Sequence, residues 1–155
     1  MEFLGAAALA FGAIFVAEFG DKSQLIILAF ATRYAARPVI LGVIVAAALI
    51  QGASVAVGAL AGAALPAASV GIVSGIAFLA VATWTLRGED DEGEDEAVAA
   101  ASTRRLAGLA LVATVAGTFI LSELGDKTML ATFALAATQG ALPTWIGSTA
   151  GAWLG

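Results

Sequence analysis

Two five-residue strings carry most of the chemistry open to this sequence. Glu18-Phe19-Gly20-Asp21-Lys22 returns as Glu123-Leu124-Gly125-Asp126-Lys127, and both copies sit inside long apolar runs. An ionisable side chain at the centre of a membrane helix costs roughly 2.5–3.5 kcal/mol on insertion scales, so such residues are functional-site candidates by default. A chain that accepts this cost twice, in the same order, is expected to bind something charged within the membrane.

The residue types narrow the ligand. Glu18, Asp21, Glu123 and Asp126 offer carboxylate oxygens, while Ser23, Gln24 and Thr128 add neutral ones. Four carboxylates with Lys22 and Lys127 sum to −2 when all are ionised, the complement of one divalent cation. The chain has no Cys and no His. An all-oxygen set suits Mg²⁺, Ca²⁺ or Mn²⁺ over Zn²⁺ or Cu⁺. The same absence removes disulfides, thiolate chemistry and Ser-His catalysis, so an enzyme is not expected.

On a helix, the acids and lysine of each pentad stand at i, i+3 and i+4 and share one side. Gly20 and Gly125 clear space between the acids and make local unwinding cheap. The lysines could hold the carboxylates in place while no metal is bound. A carboxyl group taken out of water favours its neutral form, so an arriving cation would displace protons. That competition at one alternating-access site suffices for cation–proton exchange. The structural alternative is two Lys–carboxylate pairs locking the bundle, which contribute little because desolvation offsets their attraction.

The rest of the chain must hold these residues in a bilayer. It is 61% hydrophobic and 12% charged, against about 45–50% apolar usage in soluble domains. Seven of its twelve acids fall in the run Glu89 to Glu96, which reads as a solvated linker or a cation-gathering mouth. The net charge of −5 therefore belongs to one loop, and no basic stripe exists to bind nucleic acid. No Lys or Arg precedes the first apolar run, so a cleaved signal peptide is not expected.

The expected class is an all-α polytopic membrane protein. Apolar runs at about 3–32, 39–61, 67–86, 106–137 and 144–155 predict five spans, the last too short to cross. Arg33, Arg37, Arg87, Arg104 and Arg105, all the basic residues outside the pentads, then share one side. The positive-inside rule makes that side cytoplasmic and places the N-terminus outside.

Glu18 and Glu123 lie 105 residues apart, and Leu25/Leu130, Ala29/Ala134, Pro38/Pro143 and Gly42/Gly147 match at the same offset. Three spans separate equivalent points, so the halves have opposite topology. Such an inverted repeat marks secondary transporters, with the site where the halves meet. The expected division is a first three-helix repeat at 1–87, an acidic cytoplasmic loop at 88–105 and a truncated second repeat at 106–155. Either the sequence is cut short there, or a second copy of the chain or a partner chain completes that repeat.

Other signals are weaker. Gln51, Ser54, Thr114 and Thr118 either line a pathway or satisfy hydrogen bonds between helices. Trp84, Trp145 and Trp153 suit membrane interfaces. Gly58/Gly62, Gly71/Gly75 and Gly147/Gly151 have a spacing that allows close helix packing.

The two Glu-x-Gly-Asp-Lys-[Ser/Thr] motifs resemble the Gdt-type family of divalent cation–proton exchangers, where the pattern occurs on the first and fourth of six helices. Residues 18, 20–23, 123 and 125–128 match it. The resemblance implies Mn²⁺ and Ca²⁺ transport, with manganese export across the bacterial inner membrane as the role. It implies protons as counter-ion and no resident cofactor. The short fifth helix and the missing sixth depart from the family pattern. The alternatives are a non-transporting assembly subunit with structural charge pairs, or a related exporter of another cation or an amino acid.

Overall fold

The architecture comes from a computed structural model that describes residues 2–20, 22–87, 107–124 and 126–155. Asp21, Gly125 and the acidic segment 88–106 lie outside the described residues, as do the side chains of Lys22, Ser23 and Trp84. The described chain forms α1 (Glu2–Glu18), α2 (Lys22–Ala31), α3 (Ala36–Ala64) and α4 (Ala67–Arg87). After the acidic segment come α5 (Gly108–Glu123), α6 (Lys127–Gln139) and α7 (Ala141–Leu154).

Each boundary has a local cause. Pro38 and Pro143 stand in the first turns of α3 and α7, where a missing backbone N–H costs nothing. Pro66 forces the residue before it out of helical geometry, and Leu65 is extended at φ −108° and ψ 149°. Gly140 alone separates α6 from α7, with φ +96°, a conformation that glycine adopts without strain.

The runs expected as single spans at 3–32 and 106–137 are each broken in two. The first breaks after Glu18 and the second after Glu123. α5 and α6 meet at 81° and together satisfy the length and hydropathy of one span. Among the described residues, α3 is the one unbroken helix that meets this test, with 29 residues. Shorter apolar helix lies at Ala68–Ala80 within α4.

Two bundles of helices pack through glycine. Side chains at 147, 151 and 155 would collide with α1: a Cβ on Gly147 meets Ala7 and Ala10, and one on Gly151 meets Phe11, Ile14 and Phe15. A Cβ on Gly155 would stand 2.8 Å from that of Glu18. The rising numbers on both helices make α1 and α7 parallel. On the other flank, a Cβ on Gly42 meets Val115 and the carbonyl of Val112 on α5, while Gly58 and Gly62 abut Phe133, Ala136 and Ala137 on α6. Gly71 and Gly75 have open space around them, so their spacing has no packing partner among the described residues.

These contacts repeat with the halves exchanged. Gly42 meets residues 112 and 115, and Gly147 meets residues 7 and 10. Each of these numbers differs from its counterpart by the same 105 residues as the pentads. Apolar side chains cover the outside: Leu4, Val16, Leu60, Leu79, Leu109 and Leu121 are each at least 70% exposed. A surface of that kind suits hydrocarbon. This is an all-α membrane protein.

Candidate metal centre

The pentads are helix breaks. Glu18 is the last residue of α1 and Glu123 the last of α5. Beyond Glu18 the chain turns through Phe19 and Gly20, where φ is +79°. Asp126 is the N-cap of α6, extended at φ −72° and ψ 164°. The i, i+3, i+4 arrangement expected for a continuous helix is therefore absent from the second pentad, and Glu18 and Lys22 lie on different helices. The helix stops at each pentad, and Glu18, Glu123 and Asp126 converge through the fold instead of along one helix face.

Glu18, Glu123 and Asp126 each direct one carboxylate oxygen into a common cluster, all within 4.8 Å of one another. Their side chains are 1%, 2% and 5% exposed. The Thr128 hydroxyl donates to Glu123 Oε2 over 3.3 Å and lies 3.5 Å from Asp126 Oδ2. The backbone N–H of Thr128 also points to Asp126 Oδ2, at 3.5 Å. That contact is a side-chain cap of the α6 N-terminus. Lys127 is buried beside Asp126. Gln24 of α2 donates its amide to the Gly155 carbonyl, tying α2 to the end of α7 near Glu18.

Electrostatics favour a cation here. Helix C-termini carry partial negative charge from their last carbonyls, and Glu18 and Glu123 stand at two such ends. Three carboxylates at close range repel one another, and a divalent ion relieves that repulsion while taking oxygen ligands. With the ammonium of Lys127, the three acids sum to −2 when ionised. Half-helices that end against a site inside the bilayer are a recurring way for transporters to hold ions.

Several polar residues from the sequence fall elsewhere. Thr114 and Thr118 donate to backbone carbonyls one turn back on their own helix, at 2.9 and 3.0 Å, as does Ser54 to Ile50 at 3.0 Å. Gln51 is buried, and its Oε1 has no hydrogen-bond partner among the described residues. Thr132, Thr144 and Ser148, which do not stand out in the sequence, are fully buried. Their signal was the four-residue hydroxyl spacing in Thr128/Thr132 and Thr144/Ser148. Trp145 donates from Nε1 to the Ala48 carbonyl at 3.0 Å and so pins α7 to α3.

Two broken helices that bring acids together inside an apolar bundle define an ion-handling membrane protein. The chain matches the family Divalent cation/proton antiporter GDT1 over residues 6–93 and 111–154. It belongs to that family, whose members are transporters that exchange divalent cations for protons. No curated protein and no solved structure matches the chain.

Proposed function

We propose that this protein exports Mn²⁺ from the cytoplasm in exchange for protons, with Ca²⁺ as a second substrate. The observation that carries the reading is the buried cluster of Glu18, Glu123 and Asp126 at two helix breaks. These three residues and Asp21 would hold the cation. Thr128, Ser23 and Gln24 would assist with neutral oxygens, and Lys22 and Lys127 would pair with the acids when metal leaves. Gly20 and Gly125 let the chain unwind so that the carboxylates can approach.

Exchange follows from competition. Protons and the cation need the same oxygens, so each arrival drives the other off. The 105-residue correspondence of contacts supports an inverted repeat, built from units at 1–87 and 106–155 around the 88–105 loop. Alternating access then amounts to one unit rocking against the other around the shared acids. The distribution of arginines supports a multi-pass protein of the inner membrane with its N-terminus outside and the acidic loop in the cytoplasm.

The test is reconstitution into liposomes containing a pH-sensitive dye. An inward Mn²⁺ gradient should turn the lumen alkaline, with protons leaving as metal enters. Manganese uptake without proton movement would reject exchange, and absence of both would reject the transporter reading in favour of an assembly subunit.

A further inference from the structure

The two flanks of the acid cluster share a backbone arrangement and differ in chemistry. On one flank α3 packs against α5 and α2, and on the other α7 packs against α1 and α6. Positions 105 residues apart correspond across the two. On the first flank they are Ile27, Val39 and Val43; on the second, Thr132, Thr144 and Ser148. Val39 and Val43 are buried in an apolar cluster with Phe30 and Phe119, and Ile27 packs against it. Thr132, Thr144 and Ser148 are equally buried, at 0% exposure. Val and Thr have nearly the same shape, so packing alone does not call for hydroxyls on one flank.

Two of these three hydroxyls lack the partner a packed interior supplies, while Ser148 donates to the Trp145 carbonyl at 3.4 Å; Gln51 of α3 is unpaired like the two threonines. Thr132 Oγ1, Thr144 Oγ1 and Gln51 Oε1 have no hydrogen-bond partner among the described residues. Leaving a buried polar atom unpaired costs about 1–3 kcal/mol, and native interiors hold few of them. Three in one bundle point to something that solvates them.

Their placement forms a track. Ile14, Ala47, Ala131 and Ala152 pack together as one layer of the bundle, with Ile14 one helical turn before Glu18. Gln51 lies one turn beyond Ala47 and Ser148 one turn before Ala152, both on the side away from Glu18. Thr144 follows a turn further out, near the Gly140 connection. Thr132 lies one turn from Thr128, which bonds Glu123. From Thr144 to Gly155, beside Glu18, α7 rises roughly 16 Å at 1.5 Å per residue.

We infer that a hydrated divalent cation and its exchanging protons reach the acids along this hydroxyl- and amide-lined flank, past Thr144, Ser148, Gln51 and Thr132. The pseudo-equivalent flank, closed by Ile27, Val39 and Val43, is a hydrophobic seal toward the face that carries Arg33 and Arg37. Neutral oxygens can replace part of a hydration shell without holding the ion as tightly as carboxylates, which suits passage. This inference rests on the exchange reading for the identity of the ion.

The absence of cysteine makes the route directly measurable. Thr144→Cys, Ser148→Cys, Val39→Cys and Val43→Cys, each in the full chain in membrane vesicles, are exposed to a charged, impermeant methanethiosulfonate on either face. The first two should react at least tenfold faster than the valine pair, and from the face opposite Arg33. Equal rates on both flanks, faster reaction at the valine positions, or no reaction at Thr144→Cys and Ser148→Cys would overturn the route. Labelling needs no transported ion, so its result stands even if manganese exchange fails. Conversely, a working exchanger with both flanks equally reactive would lose only this inference. Modified Thr144→Cys should also stop Mn²⁺ uptake, and unimpeded uptake by fully labelled protein would count against the route as well.

Discussion

Glu18 and Glu123 stand 105 residues apart in the chain, yet their carboxylates share a cluster no wider than 4.8 Å. Each closes a helix, and the next helix starts at the lysine four residues on. The pairing joins the two halves of the protein at the residues least suited to lipid.

Replacing Glu18 or Glu123 by Gln keeps the shape and removes the charge. A hydrogen bond to a charged group contributes about 1.5–3 kcal/mol, and loss of a direct metal ligand should exceed that. Mn²⁺ binding by purified protein, followed by electron paramagnetic resonance, should weaken at least tenfold in Glu18→Gln and Glu123→Gln. Unchanged binding in both variants would rule out the cluster as the cation site.

Thr128 orders the acids through its hydroxyl. Thr128→Val retains the volume and loses the donation to the Glu123 carboxylate, a bond to a charged acceptor worth about 1.5–3 kcal/mol. Manganese affinity should fall roughly tenfold or more, in line with that energy. Thr128→Ser should recover most of it. A valine variant that binds as wild type would show that the hydroxyl has no positioning role.

Gly62 admits α6 at backbone distance, since a Cβ there would lie 2.6 Å from the Ala137 carbonyl. Gly62→Ala should cost about 1–3 kcal/mol through forced separation of α3 and α6. Gly71→Ala meets open space and should be neutral or slightly stabilising, by the helix preference of alanine. Thermal unfolding in detergent, compared between these two variants, checks the contrast.

Gly20 tests the break itself. It has φ +79° with nothing within 4 Å of a built Cβ, so Gly20→Ala introduces backbone strain without a clash. The left-handed conformation costs an L-residue about 1–2 kcal/mol. Stability should drop by that amount, and manganese affinity should fall with it as the turn after Glu18 relaxes toward helix. Full affinity in a well-folded Gly20→Ala protein would separate the turn from the site.

Much of the site was legible before any coordinates. Carboxylates and lysines in apolar runs stand out because hydrocarbon penalises them, and their repetition fixed which residues belong together. The helix breaks were less legible. A glycine between two acids permits either a continuous helix or an unwound turn, and composition does not choose between them. The choice falls to the fold, because the turn at Gly20 and the cap at Asp126 let three acids meet in one pocket. The buried hydroxyls of Thr132 and Thr144 were hidden for a different reason. Threonine in a membrane helix usually bonds its own backbone, as Thr114 and Thr118 do, and only packing reveals which hydroxyls are left over.

The sequence by itself determined the all-α membrane class, the family and the candidate acids, since each follows from residue type, hydropathy and spacing along one dimension. Tertiary structure alone decided that Glu18 meets Glu123, that the pentads end helices, and that one flank buries valines where the other buries hydroxyls. Those are relations between distant segments, set by glycine contacts such as Gly147 on Ala10 and Gly42 on Val115. A helix surface read in isolation does not specify which neighbour it will press against.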